Sequence, residues 1–381
     1  MGLITALGPL AIDMYLPAFA AIAEDLGTSH GRVEQTLASY LFGLSLAQLA
    51  YGPLADRFGR RSTLLAGLSI FILGSLGASL THDIDHLALW RIVQAFGGAA
   101  GIVVPRAVIR DNFDTRDASK ALSVLMLVMG ATPILAPILG GQILIFASWR
   151  WIFYLMTLLA ASLLLSAVLT MQETLAPEHV SSLHPRYILK NYVGLFGDKS
   201  FIFFALAGGF GSAGMFSYIV GSPRVFINTY GVDPRYFGFL FGANAAAFIA
   251  MAQVSARLLN RSSPETIFQR ALNSLAIATV IALLLTLFNV LNLTALMLCL
   301  ILYMGSQGFV NPNAAALALR HQGHRLGTAS ALMGTLQMLA GSTAGLLISL
   351  WQTPGPLPLV GLLCACAILS WLCGRLAMKT V

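Results

Sequence analysis

The chain has 381 residues, of which 57 % are hydrophobic and only 10 % charged, with a mean hydropathy of +0.80. Soluble globular proteins run about 45–50 % apolar and about 25 % charged, so this chain lacks the polar residues to cover a water-facing surface. A soluble enzyme, a nucleic-acid-binding domain, a coiled coil and a disordered protein are excluded, and the net charge of +7 is explained by where the charges sit.

A membrane-crossing helix needs about 20 mostly apolar residues to cover about 30 Å of hydrocarbon. Twelve such runs follow one another: 1–23, 34–55, 63–81, 86–105, 121–146, 150–171, 200–221, 236–256, 271–290, 294–314, 327–350 and 357–376. They are too long and continuous for the alternating strands of a β-barrel. In the first run Ala18-Phe19-Ala20 imitates a signal-peptidase site, but no positive charge precedes it and Asp13 interrupts it. A retained helix is expected. Met1 already stands inside that helix, which leaves room for a missing N-terminal stretch.

The longest polar stretch, 172–199, divides six spans from six. The expected organisation is an all-α polytopic membrane protein: a six-helix bundle over 1–171, a cytoplasmic linker over 172–199 and a second six-helix bundle over 200–381. The halves echo each other at an offset of 200, where Arg57, Arg61 and Ser62 match Arg257, Arg261 and Ser262. Such an internal repeat fits a transporter-like architecture.

If both termini are cytoplasmic, the inside segments hold seventeen of the twenty-two Lys and Arg residues. Outside loops hold Arg32, Arg150, Arg224 and Arg235, and Arg91 lies in a helix. This positive-inside bias sets the orientation and accounts for the basic balance without a nucleic acid. Trp149, Trp151 and Trp351 fall at expected outer ends, where indoles favour the interface.

An ionisable side chain in hydrocarbon is costly, about 2.5–3.5 kcal/mol on insertion scales, and two are hard to remove from it. Twelve residues precede Asp13 and ten separate it from Glu24, so neither flank alone spans the membrane. Arg91 and Arg106 are about 21 Å apart along a helix, and Arg106 is the one expected to reach the cytoplasmic surface. Asp13, the one acidic residue read as lying within the spans, is a candidate for taking up and releasing a proton; the plainer reading is a polar group joining helices. Arg91 either partners that site and its substrate or snorkels outward beside Trp90.

Weaker signals accompany these. Tyr15, Tyr40, Tyr218, Asn244, Tyr303, Gln307 and Gln337 are candidates to line a central cavity, with Met126, Met129 and Met333 as adaptable apolar surface. Most polar helix residues simply bond to a neighbouring helix, so each reading stays open. Gly209-Phe210-Gly211-Ser212-Ala213-Gly214 matches GxGxxG but lies within a span without a preceding strand, so its glycines, like Gly97 and Gly101, read as close-approach points. Pro9, Pro17, Pro133 and Pro137 permit bending. Cys299, Cys364, Cys366 and Cys373 lie in apolar runs and read as core residues. The histidines (His30, His82, His86, His179, His184, His321, His324) fall in loops or near helix ends. No metal cluster and no Walker lysine motif is found, and a membrane-embedded enzyme would need a catalytic cluster that is missing.

The stretch Gly52-Pro53-Leu54-Ala55-Asp56-Arg57-Phe58-Gly59-Arg60-Arg61 resembles the signature loop of the major facilitator superfamily. The resemblance implies an inter-helix latch built from Gly52, Asp56, Arg57, Gly59, Arg60 and Arg61, with Asp56 meeting the arginines or a helix N-terminus. Ala256 and Leu259 replace the acid and the glycine in the second half, so a latch there is expected to be weaker. Arg91-Ile92-Val93-Gln94-Ala95-Phe96-Gly97-Gly98 is similar to the superfamily's fourth-helix motif, whose arginine is tied to proton coupling. Ala136-Pro137-Ile138-Leu139-Gly140-Gly141 resembles the fifth-helix motif of exporters, implicating Pro133, Pro137, Gly140 and Gly141, with Ala136 where glycine is usual. Ile12-Asp13-Met14-Tyr15-Leu16-Pro17 and Pro105-Arg106-Ala107-Val108-Ile109-Arg110-Asp111 look like the bicyclomycin-resistance (Bcr/CflA) branch.

The resemblance implies a proton-coupled multidrug antiporter of the bacterial inner membrane, working by alternating access with Asp13 and Arg91 as the proton-coupling pair. It implies no cofactor beyond the proton gradient, a lipophilic small-molecule substrate, a lipid bilayer, no nucleic acid and a monomer. A proton-coupled transporter of an amino acid or sugar on the same fold is the alternative, because fold does not decide substrate; a channel is disfavoured by the repeat and the latch.

Overall fold

The computed structural model describes residues 1–113, 115–175, 194–320, 322 and 326–380. Regular structure among them is helical throughout. The chain divides into two compact units, 1–184 and 185–381. Most of the expected 172–199 linker lies outside the described residues, as do His179, His184, Arg186, Lys190, His321, His324 and Arg325.

The first expected span is broken. Helix α1 (Gly2–Asp13) ends at Asp13, a 3-10 turn covers Leu16–Ala18, and α2 (Phe19–Asp25) completes the crossing. Pro17 is the physical reason: it has no N–H to offer the carbonyl of Asp13, so the α-helical ladder cannot continue. The Met14 N–H still reaches Leu10 O at 3.0 Å, and the Ala18 N–H closes the tighter turn on Tyr15 O at 3.1 Å.

The unit continues with α3 (His30–Phe58), α4 (Arg60–Leu80), α5 (Ile84–Asn112), α6 (Thr115–Phe146) and α7 (Arg150–Thr170). The second unit holds α8 (Lys199–Pro223) with a π-helical turn at Arg224–Thr229, then α9 (Pro234–Leu258), α10 (Pro264–Leu287), α11 (Leu293–Leu319), α12 (Leu326–Leu350) and α13 (Leu357–Ala377). Among the described residues, eleven helices are long and apolar enough to cross a membrane. The twelfth expected span, α3, has the length, with 29 residues, but is more polar than the others.

Helix starts follow local chemistry. The side chains of Asp83, Asp198, Asp233, Ser263 and Asn292 accept N–H bonds at the first turns of α5, α8, α9, α10 and α11, satisfying donors that the helix itself leaves open. Between helices, small residues permit close packing, as expected where lipid supplies no hydrophobic drive. A methyl on Gly97 of α5 would come 2.2 Å from the backbone nitrogen of Phe71 in α4, and one on Gly101 would come 2.6 Å from Ile4 O in α1. In the first unit α3 and α4 pack on α5, and α1 packs on α5 and α6; in the second, α8 is surrounded by α11, α12 and α13.

One interface reading needs correction. Trp151 and Trp351 are exposed, but Trp149 is buried at 2 % exposure. Its indole N–H donates to Asp25 at 3.1 Å, and the Arg150 guanidinium stacks on its ring at 4.4 Å while pairing with Asp25 at 2.5 Å. The indole ties α7 to the end of α2 instead of facing headgroups.

Candidate functional site

Asp13 stands at the C-terminal end of α1, buried at 4 % exposure, directly at the helix break. Its carboxylate makes no hydrogen bond or ion pair among the described residues. The backbone just beyond it is seated on α6: a methyl on Gly140 would lie 2.2 Å from Met14 O and 3.1 Å from Pro17 Cγ. Only a residue without a side chain fits there, which gives the exporter-like stretch around Gly140 a physical task. It receives the interrupted backbone of the first span.

Arg91, on α5, is fully buried, so the outward-snorkelling reading is overturned. Its guanidinium lies over the rings of Tyr15 and Tyr40 at 4.5 and 4.3 Å, with Phe153 at 5.8 Å. Such stacking stabilises a desolvated cation by about 2 kcal/mol per good contact. Nη1 donates to Gln94 Oε1 at 2.5 Å, and Gln94 in turn donates to Ser75 Oγ at 2.8 Å. Nε and Nη2 are buried without a hydrogen-bond partner among the described residues. The rings are themselves fixed: the Tyr15 hydroxyl bonds Thr36 at 2.7 Å, and the Tyr40 hydroxyl donates to Gly8 O at 3.2 Å. Tyr40 is within electrostatic reach of both Arg91 and Asp13, and so connects the two ionisable groups that the sequence singles out.

A second buried carboxylate accompanies them. Glu34 lies in the second turn of α3 and is fully buried. The reading of Asp13 as the one acidic residue within the spans is therefore corrected: Glu34 is itself the first residue of the expected run 34–55, and α3, which begins four residues earlier at His30, buries it. Gln94, which in the sequence stands out only as a member of the fourth-helix motif, is the hydrogen-bond partner of Arg91.

The α3–α4 connection is built around Arg60, 4 % exposed. Its guanidinium joins Asp56 at 2.5 Å and Asp111 of α5 at 2.9 Å. Gly59 adopts φ +93°, a conformation that disfavours side chains, and a methyl there would strike Glu173 at 2.3 Å. Asp56 meets an arginine; the helix N-terminus is instead occupied by Glu173, which accepts the backbone N–H groups of Arg60 at 2.8 Å and Arg61 at 3.1 Å. Partial burial pushes the Glu173 carboxyl up, but the N–H groups of Leu175, Arg60, Arg61 and Thr174 prevail and hold it below the ordinary carboxylate range. Arg61 also donates to Val168 O at 3.0 Å, while Arg57 is exposed. Gly52 lies within α3, where a methyl would meet nothing within 4 Å, so close approach does not explain it.

The second-unit candidates split into two groups. Tyr218 stacks on Phe241 at 5.4 Å and receives the Asn244 amide at 3.1 Å. The Tyr303 hydroxyl donates to Gly211 O at 3.0 Å, linking α11 to α8 through the glycine-rich stretch. These are bonds between neighbouring helices. Gln307 differs: it is fully buried, it lies where a methyl on Gly211 would be 2.6 Å away, and both its amide atoms lack a hydrogen-bond partner among the described residues. Gln337 is half-buried opposite Gly208. Met333 belongs to a packed apolar cluster with Phe204, Leu272 and Val310 and is not open surface. Met126 is exposed, and Met129 sits half-buried with Arg106 Nη2 at 3.9 Å from its sulfur. Pro133 and Pro137 lie inside α6, and Gly141 follows Gly140 within it. The four cysteines are free thiols, three of them buried.

Two helical units with eleven apolar spans among the described residues define a polytopic membrane protein. The chain belongs to the Major Facilitator Superfamily, whose sequence model matches residues 1–345. It is 37 % identical over 355 residues to the uncharacterized MFS-type transporter YdgK of Bacillus subtilis, covering 93 % of this chain and 88 % of that protein. It is 31 % identical to a bicyclomycin resistance protein homolog of Haemophilus influenzae, covering 97 % and 93 % of the two chains. Identity to multidrug resistance protein D of Escherichia coli is 30 %, covering 92 % and 88 %. Among solved structures, a D-xylose-proton symporter shares the fold with a TM-score of 0.76 at 14 % identity, covering 100 % of this chain and 97 % of that one.

Proposed function

We propose that this transporter is a proton-coupled multidrug exporter of the bacterial inner membrane, working by alternating access with both termini cytoplasmic. The observation that carries the proposal is the buried, unbonded Asp13 carboxylate at the break of the first span, in a unit that also buries the Arg91 cation, whose Nε and Nη2 have no hydrogen-bond partner among the described residues. A group held in this way changes charge state with its surroundings, and rearrangement at the break alters those surroundings. The names of the Haemophilus influenzae and Escherichia coli relatives support drug export. Drug and proton compete for the Asp13 site on the cytoplasmic side; facing outward, the carboxylate takes up a proton and drug leaves. One pH unit supplies about 1.36 kcal/mol, and 100 mV adds about 2.3 kcal/mol per charge, enough for a modest uphill gradient of a neutral drug. Gln307, with buried amide atoms to satisfy, is suited to contact substrate.

The test uses proteoliposomes with an inside-acid gradient, an internal pH dye and a panel of lipophilic antibiotics. Drug-triggered proton efflux is expected in wild type and absent in Asp13→Asn. Efflux surviving in that variant moves the coupling proton elsewhere. No response to any drug by folded protein overturns drug export and points to a physiological metabolite.

A further inference from the structure

The charge of this chain is unevenly divided. Residues 1–171 hold ten Lys and Arg and ten Asp and Glu, and 172–199 hold three of each, whereas 200–381 hold nine against two. The whole of the net +7 therefore resides in the second half. Its two acidic residues are already engaged, Asp233 by Arg235 at 2.5 Å and Glu265 by Arg320 at 2.8 Å. Arg257, Arg261 and Arg270 form no ion pair or hydrogen bond among the described residues, and all three are exposed.

One of them, Arg270, lines a cavity of about 240 Å³ between residues of α9, α10 and α11. Arg270, Ser262, Thr266, Ser274 and Ser306 line it with polar groups, and Phe309 contributes to an apolar wall. Ser306 and Ser274 hold each other at 2.9 Å. Arg257 and Arg261 adjoin the lining residues Leu258 and Ser262 in sequence. Arg270 lies six residues into α10, about 9 Å along its axis from Pro264, near headgroup depth for a helix that starts at the membrane surface. In the matching connection of the first unit, Arg60 is neutralised by Asp56 and Asp111; here Ala256 and Asn260 stand at the positions of Asp56 and Arg60.

We propose that this groove binds an anionic phospholipid, whose phosphate is met by the Arg270 guanidinium and the hydroxyl groups of the lining. Charge complementarity selects the headgroup: guanidinium forks and hydroxyls are phosphate donors. The apolar wall and the position at the edge of a membrane span select a lipid over a soluble anion, since an acyl chain can lie along Phe309 and the α10 face. Each arginine near an anionic headgroup contributes about fivefold in affinity.

The purified full-length protein in neutral detergent is titrated with dioleoyl phosphatidylglycerol, dioleoyl phosphatidylcholine or inorganic phosphate, and bound adducts are counted by native mass spectrometry. Wild type is expected to retain phosphatidylglycerol in preference to phosphatidylcholine and to ignore inorganic phosphate. The double variant Arg261→Gln/Arg270→Gln loses about 25-fold in phosphatidylglycerol retention, and Arg270→Lys keeps most of it. Equal retention of the two lipids, or undiminished retention by a folded double variant, overturns the proposal. Binding of inorganic phosphate alone assigns the site to a soluble anion and overturns it as well. Should the double variant fail to fold, wild type with diazirine-bearing phosphatidylglycerol decides: crosslinks are expected within 258–274 or at 306–309, and their absence there refutes the site.

Discussion

The first unit buries Asp13, Glu34, Arg60 and Arg91, whereas the second buries Asn244, Gln307, Asn313, serines and threonines and, among the described residues, no charged side chain. On the proposed function, the buried carboxylates of the first unit are the groups suited to follow a proton gradient. Neutral amides such as Gln307 can instead donate and accept toward many uncharged ligands. The same contrast holds at the helix connections. The α3–α4 connection closes on itself through Arg60, Asp56, Asp111 and Glu173, while the α9–α10 connection leaves its arginines facing outward.

The sharpest attack on this contrast is a pair of transport variants. Asp13→Asn is expected to cut drug-driven proton movement by about 100-fold or more, the scale of a lost proton-transfer group. Gln307→Ala should raise the apparent KM for drug while leaving proton movement at saturating drug intact. If Gln307→Ala abolishes coupling as fully as Asp13→Asn, the division between the units is wrong. Next in size is the pair of connections. Arg60→Ala removes two charge-assisted hydrogen bonds from carboxylates that still reach solvent and should cost about 2 kcal/mol in unfolding assays, whereas Arg261→Ala should stay within about 0.5 kcal/mol.

Glycines provide a smaller test. Gly140→Ala forces a methyl onto Met14 O and should cost about 1–3 kcal/mol. Gly209, where a methyl meets nothing within 4 Å, should tolerate alanine or gain up to about 1 kcal/mol from helix propensity. The smallest effect concerns Glu173. Its folded carboxyl lies below the ordinary value, so its contribution is complete above the unfolded value and disappears as pH falls through the folded one. Glu173→Gln should lower stability by about 1 kcal/mol at neutral pH. Thermal midpoints of wild type and variant should converge on acidification below about pH 5. A gap that persists at low pH removes the carboxylate from the account.

Much of this architecture was legible because lipid tolerates so little. Runs of apolar residues mark the spans, and Asp13 and Arg91 stand out because chain length alone keeps them inside the membrane. Other partners left no such mark. Glu173 lies 113 residues from the amide it caps, and past a helix end a glutamate is an ordinary loop residue. Glu34 stood at the edge of an apolar run, where a sequence cannot tell a helix that starts early from a loop. Trp149 obeyed the interface rule in position and broke it in contact, because Asp25, 124 residues earlier, offers its indole a bond. Gly52 and Gly59 look alike in the loop motif, yet only Gly59 has the positive φ and the crowding that demand glycine.

Helix α1 and the turn after it meet their neighbours at glycines in three places: Gly8 lies opposite Gly98, Ile4 O against Gly101, and Met14 O against Gly140. Most helix pairs lock by setting side-chain ridges into grooves, and to shift them those ridges must be lifted out. A surface paved with glycine has few ridges there. The segment that carries Asp13 thus rests on a smooth bearing, on which a small rotation or slide dislodges little side-chain packing. Bulk added at Gly98, Gly101 or Gly140 would act as a brake, one that slows the transport cycle even where the protein still folds and still binds its substrate.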